Sequence, residues 1–471
     1  MPPPGELGKL MLKFISVCLW WLTAVVITGG RSLATAASSK PNIVFILSDD
    51  QGWADVGWHG SEIQTPNLDE IAAAGAQLEQ FYVLPVCSPT RAALLTGRYP
   101  MRMGLQTGVV RPYAQYGLPL EERTLPQALR EAGYTTGICG KWHLGHFRPE
   151  YLPTRRGFDH QYGHYNGAID YFELERDGGA DWHRDDKVCH DEGYSTSLIA
   201  KEAVRLINEQ PKDTPLFLYV PFNAPHTPLQ VPEEYKAPYA NLPEPRRTYA
   251  GMLAAIDEAI GRILAALDAT GIRENTLIIF ASDNGGEEPG KVASNLPLRG
   301  GKYTLYEGGV RVCAAAAWPG HIKPRVTISE PIHMVDWYPT LLKLAGASLD
   351  QKLPLDGLDI WPTLTAGKPS PHEEILLNAE PKRGAIRVGE WKLIVNGGAA
   401  GGSGNKKSGQ QVELFNLTED PNEKRNLAAE QPEKMQALLT RYKALAAQAV
   451  PPRNKPMKRG FMVPKIWGES E

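Results

Sequence analysis

The chain has 471 residues, of which 42% are hydrophobic and 22% charged, with a formal net charge of −3. That length buries a substantial core and leaves room for one large domain and a smaller one. The near-neutral balance excludes a nucleic-acid binder held by bulk electrostatics, so a polyanionic ligand has to be drawn in by a local basic pocket.

The first forty residues stand apart. Lys9 and Lys13 precede an apolar stretch from Phe14 to Thr28, followed by small residues up to Ser38. This order predicts an export signal over 1–37, cut near Ala36 or Ala37. The greasy run is shorter than the ~20 residues that span a bilayer, so no stable membrane insertion is expected after cleavage. Cys18 leaves with the signal, and the remaining Cys87, Cys139, Cys189 and Cys313 are too widely spaced for a metal knot. A single glycosylation pattern, Asn416-Leu-Thr418, is thin for a eukaryotic secretory protein. A periplasmic or extracellular bacterial protein is therefore expected in preference to a lysosomal one.

Asn42 to Leu47 is a continuous apolar run, as in a strand buried on both faces, and stops at Ser48-Asp49-Asp50. Thr65-Pro66 opens a helix to about Gly75, and Leu78 to Val83 reads as a short strand. Cys87-Ser88-Pro89-Thr90-Arg91 begins the next helix, because Pro89 suits a first turn. Arg91, four residues on, returns to the face of Cys87. Thr124 to Ala132 predicts a helix, and Thr135 to Cys139 a strand ending in Gly140-Lys141-Trp142-His143. Residues 145–195 lack a period and read as elaborated loops over the active face. A helix over Ser195 to Glu209 and a strand over Leu216 to Val220 lead to Asn223-Ala-Pro-His226. A long amphipathic helix over Arg247 to Ala269 precedes the strand Thr276 to Ala281, which ends in Ser282-Asp283-Asn284. Val310 to Trp318 is strand-like and Val335 to Ala345 helical. Beyond residue 350 short strands over Ala385 to Ile394 and Val412 to Phe415, a flexible loop over Asn396 to Gln410 and a helix over Pro432 to Ala449 make a small subdomain.

Alternating strands and helices predict an α/β protein whose mainly parallel sheet is sandwiched by helices, with a small C-terminal α+β subdomain. The domains expected are a catalytic one over 38–375 and a C-terminal one over 376–471. The polar residues cluster immediately after strands, and in a parallel sheet those positions share the carboxyl edge, where ligands bind. Asp49, Asp50, Asp283 and Asn284 are hard oxygen donors suited to Ca²⁺ or Mg²⁺. Any one such pair is ordinarily a turn cap. Two pairs at one sheet edge, with carboxylates that would otherwise repel, favour a cation. Arg91, Lys141, His143, His226 and Lys302 supply the opposite charge around a helix N-terminus, a pocket for a tetrahedral oxyanion ester, sulfate or phosphate. An unmodified thiol suits a hard-cation site poorly. Cys87 is either inert or converted to an oxygen species.

These residues resemble the signature of the type I sulfatases, Cys-x-Pro-x-Arg, through Cys87 to Arg91 with Leu95-Thr-Gly97-Arg98. The likeness continues in Asp49-Asp50, Gly140 to Gly145, Ser282 to Gly286, Lys302, and Glu413 to Leu427 with Asp420-Pro-Asn-Glu423. It implies an alkaline-phosphatase-like fold and a sulfuric ester hydrolase. In that family the cysteine is oxidised by a separate maturation enzyme to formylglycine, which would make Cys87 a gem-diol nucleophile. One hydroxyl would attack sulfur while Arg91, Lys141 and a single calcium ion stabilise the charge. The resemblance makes Asp49, Asp50, Cys87, Asp283 and Asn284 the metal ligands. It gives His226 and Lys302 the sulfate, with one of them protonating the leaving alcohol, and His143 the proton whose removal expels sulfate. Thr90 departs from the commoner Ser at a position the signature does not require.

Leu152-Pro-Thr-Arg-Arg-Gly-Phe-Asp159, Pro228 to Tyr235, and Pro297-Leu-Arg299 to Arg311 look like the arylsulfatase B (N-acetylgalactosamine-4-sulfatase) branch. That implies a sulfated saccharide substrate, with 4-sulfated galactose or N-acetylgalactosamine units. His164, Asp170 and His183, in the 145–195 loops, are the expected saccharide contacts. A phosphomonoesterase or phosphodiesterase of the same broad fold would use Ser or Thr with two zinc ions, and typically Asp-His where this chain has Asp283-Asn284. A non-catalytic carbohydrate-binding relative would have lost the cysteine or a metal ligand, and none is lost.

Overall fold

The computed structural model describes residues 40–288, 290–397 and 411–469. The expected export signal and most of the Asn396–Gln410 loop lie outside the described residues. From Lys40 the chain folds around a ten-stranded sheet. Its spatial order is Val326–Ile328, Ala76–Leu78, Ala314–Ala317, Thr276–Ser282, Asn42–Ser48, Leu216–Pro221, Thr135–Cys139, His160–Gly163, His183–Arg184 and Lys187–Val188. The consecutive strands from Thr276–Ser282 to His160–Gly163 are parallel.

Asn42–Ser48 is buried throughout, and its alternating side chains serve two cores. Ile43, Phe45 and Leu47 pack with the helices Cys87–Thr96, Leu125–Glu131 and Trp337–Leu344. Val44 and Ile46 pack with Pro66–Ala74, Ser195–Glu209 and Arg246–Ala269 on the other face. Among the described residues no helix is long and apolar enough to cross a membrane.

Where the sequence suggests one strand, the fold sometimes makes two. Val310 to Trp318 divides at the buried Cys313: Arg311–Val312 joins a three-stranded sheet with Phe81–Tyr82 and Ile332–His333, whereas Ala314–Ala317 enters the main sheet antiparallel to Thr276–Ser282. Leu78 to Val83 divides in the same way, into Ala76–Leu78 and Phe81–Tyr82. An apolar run sets burial but carries no information about which neighbour it pairs with, or in which direction. The 145–195 stretch contains short hairpins, and one of them, His183–Arg184 with Lys187–Val188, extends the main sheet.

The C-terminal sheet is an antiparallel meander of Glu374–Ala379, Gly384–Val388, Trp391–Val395 and Val412–Asn416, backed by the helix Pro432–Ala446. Its first strand was not expected from the sequence. The sheet meets the main body through a fully buried ammonium: Lys392 Nζ lies 2.8 Å from Glu307 Oε1 and 2.8 Å from Glu423 Oε1. Glu307 also accepts a hydrogen bond from the Tyr82 hydroxyl at 2.9 Å. Removing the ammonium would leave two buried carboxylates facing each other. Lys392→Met is therefore expected to destabilise the fold by about 3–5 kcal/mol, read from urea-unfolding midpoints.

Candidate active site

Strand register assembles the site. Ser48 pairs with Ser282 across adjacent parallel strands, so the residues that follow, Asp49-Asp50 and Asp283-Asn284, emerge side by side. The Asp283 amide donates to Ser48 O at 3.0 Å, and the Asp50 amide donates to Asp283 Oδ1 at 3.3 Å. The next strands along bring in Lys141 and His226. Gly140 makes the turn before Lys141 at φ +131°, and a β-carbon there would lie 2.0 Å from the Pro221 carbonyl oxygen.

Cys87 is the first residue of its helix and is 2% exposed. Two hydroxyls fix that helix end. Thr90 Oγ accepts from the Leu84 amide at 3.0 Å and donates to the Leu84 carbonyl at 3.2 Å. Ser88 Oγ donates to the His143 carbonyl at 2.9 Å and accepts from the Val110 amide at 3.0 Å, tying together three segments around the thiol.

Three buried carboxylates meet three buried cations. Arg91 Nη2 and Nε donate to Asp283 Oδ2 at 2.7 and 3.1 Å, Lys141 Nζ donates to Asp49, and Lys302 Nζ donates to Asp50 Oδ2 at 2.6 Å. His226 Nε2 stands 3.7 Å from Asp50 Oδ2. Burial pushes the Cys87 thiol up to about 11, with Lys141 opposing and Asp49 adding to the rise. Burial, reinforced by the Lys141 ammonium, holds His143 well below the usual histidine range, and burial with Lys302 takes His226 down to about 3. Both rings are thus neutral at pH 7. His143 Nε2 faces the Val110 carbonyl at 3.1 Å and must carry the hydrogen, which leaves Nδ1 as an unpartnered acceptor.

The donor set fits a hard cation. Ligand atoms of Asp49, Cys87 and Asp283 lie within 4.8 Å of one another, as do those of Asp49, Asp50 and His226. Asn284 Nδ2 donates to Asp50 Oδ1 at 2.7 Å, so its carbonyl oxygen points elsewhere. That oxygen and Asp49 Oδ1 are both buried with no hydrogen-bond partner. Buried oxygens of this kind are what an oxygen-coordinated Ca²⁺ or Mg²⁺ requires.

A cavity of about 110 Å³ opens over the thiol, with Cys87, His143, His226 and Lys302 in its wall. Every expected catalytic and metal residue is brought to this region. The expected saccharide contacts do not line the cavity, although His164 lies near Lys141 and Arg91. His164 is fully buried and stacks on Trp182, His183 stacks on Tyr165 with ring centroids 4.1 Å apart, and Asp170 caps its own turn by accepting from the Phe172 and Glu173 amides. Loop residues rich in His and Asp had served as packing and turn chemistry. The outer cavity wall is instead made by Arg111, Arg176 and Tyr303, which no motif in the sequence marks.

Buried carboxylates paired with fixed cations beneath a cavity, at the carboxyl ends of parallel strands, suit the hydrolysis of a tetrahedral oxyanion ester, and they place the protein among hydrolases of that kind. The family model described as Sulfatase matches residues 41–347. Mouse arylsulfatase J is 39% identical over 488 residues, covering 92% of this chain and 81% of that protein. Mouse N-acetylgalactosamine-6-sulfatase is 37% identical over 361 residues, covering 71% and 68%. Among solved structures, Ps i-CgsB in complex with k-i-k-neocarrahexaose superposes with a TM-score of 0.80 at 34% identity, covering 88% of this chain and 94% of that one. The chain belongs to the sulfatase family. It has that family's alkaline-phosphatase-like fold and is a sulfuric ester hydrolase.

Ser88→Ala removes the hydroxyl that bridges His143 and Val110 and leaves both buried backbone groups unpaired. A loss of about 1–3 kcal/mol is expected from thermal or chemical unfolding.

Proposed function

We propose that this sulfatase is exported and removes sulfate from a sulfated saccharide, with residue 87 as formylglycine and one bound Ca²⁺. The observation that carries the reading is the placement of residue 87: at a helix N-terminus, in ligand range of Asp49 and Asp283, facing a cavity walled by His143, His226 and Lys302. A thiol held at about 11 is a poor nucleophile at neutral pH, so the reading takes the working form of residue 87 to be an oxygen species made by a formylglycine-generating maturation enzyme.

Asp49, Asp50, Asp283, Asn284 and residue 87 would hold the calcium ion, which would supply positive charge to offset that of the sulfate and of the attacking oxygen. The hydrated aldehyde at residue 87 supplies that attacking oxygen. Arg91 donates twice to Asp283 Oδ2 while the Asp50 amide donates to Oδ1, which fixes the carboxylate in the site. Lys141 and Lys302 lend positive charge to the sulfate, and of the pair His226 and Lys302 it is Lys302 that supplies the proton to the leaving alcohol, since the neutral His226 ring keeps its hydrogen on Nδ1, 2.6 Å from the Thr227 carbonyl. His143, with Nδ1 free and its ring neutral, takes a proton from the residue 87 side.

The names of the relatives support a sugar substrate, since they include an N-acetylgalactosamine-6-sulfatase and a structure holding a neocarrahexaose. The arylsulfatase B-like segments favour 4-sulfated galactose or N-acetylgalactosamine. We assign catalysis to residues 38–375 and a bracing role to 376–471.

Co-expression with a formylglycine-generating enzyme, followed by mass spectrometry of the peptide carrying residue 87, is expected to show the aldehyde together with sulfate release from an aryl sulfate. Unmodified cysteine with no release from any sulfate ester would reject the reading. Cys87→Ala should abolish turnover and keep the melting temperature within a few degrees. Chelation should lower that temperature and Ca²⁺ restore it, a linkage worth about 2.7 kcal/mol at a hundredfold excess over Kd.

A further inference from the structure

The chain does not end at its last helix. Beyond Ala446 the segment 450–467 runs across the body and is pinned along its length. The Val450 amide donates to Met101 O at 2.9 Å, the Arg453 amide to Gly104 O at 2.8 Å, and Arg453 Nε to Met103 O at 3.0 Å. Further along, Lys458 Nζ donates to Gln115 Oε1 at 2.6 Å and Phe461 packs edge-on to Tyr113. At its end the Ala180 amide donates to Lys465 O at 2.9 Å and Trp467 Nε1 donates to the Arg176 carbonyl at 2.8 Å. One strap thus holds both the loop bearing Arg111 and the hairpin bearing Arg176, the two arginines on the outer wall of the catalytic cavity.

Between strap and loop lies a second, larger cavity of about 720 Å³, walled by Tyr113, Tyr116 and Tyr151 on one side and by Arg453, Lys455 and Lys458 on the other. Val109 to Pro112 line the catalytic cavity, and the next residues in the chain, Tyr113 to Tyr116, line this groove. One loop therefore serves both spaces, with Arg111 on the catalytic side of it. Neither the Arg111 nor the Lys455 side chain has a hydrogen-bond or ion-pair partner among the described residues, although the Arg111 carbonyl accepts from the Ala114 amide at 2.8 Å. Arg453 has one loose pairing, with Glu121 at 3.7 Å, and no carboxylate lines the groove. Three cations facing tyrosine rings with no carboxylate in the lining, Lys455 among them unpaired, are a local exception to the charge balance of a chain whose net charge is −3.

We infer that this groove binds the anionic units flanking the scissile sulfate, so that the substrate is a polysulfated oligosaccharide and not an isolated sulfated sugar. The inference rests on the sulfatase reading of the Cys87 site and adds to it the length and charge of the ligand. Tyrosine offers a flat apolar face with a polar tip, which suits a sugar ring, and lysine and arginine answer the sulfates. The volume falls within the range that holds a compact ligand, so it accommodates a few sugar units.

The test uses full-length protein in two forms. The formylglycine-bearing enzyme is assayed on 4-nitrophenyl sulfate, which occupies only the catalytic cavity. The Cys87→Ala protein, which cannot turn over, is titrated calorimetrically with a chondroitin 4-sulfate hexasaccharide, a carrageenan hexasaccharide and their desulfated counterparts. At least one sulfated hexasaccharide should bind at low salt, more weakly as salt rises, and better than its desulfated form. Adding Lys455→Ala with Lys458→Ala should weaken that binding about tenfold, and adding Tyr116→Ala should weaken it at all salt concentrations. These lysines are exposed, so the fold is not at stake. Unchanged affinity in the double-lysine background, or no binding of either sulfated hexasaccharide, overturns the groove. Failure of the sulfatase reading shows separately, as absence of 4-nitrophenyl sulfate hydrolysis.

Discussion

Everything at the site depends on two neighbouring parallel strands ending in carboxylates. Asn42–Ser48 and Thr276–Ser282 pair in register to their last residues, so Asp49, Asp50 and Asp283 leave the sheet at one point with nowhere to go but the interior. Three buried carboxylates cannot stay ionised together without opposite charge close by. Arg91, Lys141 and Lys302 come from a helix, a strand end and a loop far apart in sequence, and each is within hydrogen-bonding reach of one of them. Electrostatic compensation thus links the main elements of the catalytic face. The same arrangement leaves Asp49 and Asn284 oxygens unpaired in the middle, where a hard cation would complete the coordination.

The thiol gains nothing from this environment. A helix N-terminus ordinarily lowers a cysteine's pKa, yet here burial and nearby Asp49 and Asp283 outweigh it. A site that suppresses the thiolate and offers hard oxygen ligands is consistent with the oxygen nucleophile proposed for that position.

The C-terminal sheet takes part in this from a distance. The loop carrying Lys302 is held by it at several points: Arg383 Nη2 donates to Tyr303 O at 2.7 Å, the Leu305 amide to Gly397 O at 3.1 Å, and Arg299 Nη1 to Glu423 O at 2.9 Å. The Tyr306 hydroxyl donates to Glu413 at 2.8 Å. The buried Lys392 between Glu307 and Glu423 anchors the base of the same loop. Residues such as Glu413 and Glu423, which the family resemblance marks in the sequence, thus lie beside the loop and not in the catalytic cavity.

Much was legible beforehand, because periodicity and local chemistry are properties of short segments. The helices at Ser195–Glu209 and Arg246–Ala269, the buried parallel strands, and the cluster of polar residues after them follow from patterns within a few residues of each other. What could not be read was anything decided by pairing across the chain. The reversal of Ala314–Ala317 against Thr276–Ser282 and the unexpected strand Glu374–Ala379 are of this kind. The burial of His164 and His183 beneath their loops, and the strap that brings Lys455 beside Tyr113, are decided the same way. The sequence by itself determined which charged and hydrogen-bonding residues follow the strand ends and open the Cys87 helix, since charge, hydrogen-bonding capacity and strand-end position are written locally. Only the tertiary structure decided which of them face the cavity and which fill the core, because a side chain's exposure depends on partners hundreds of residues away.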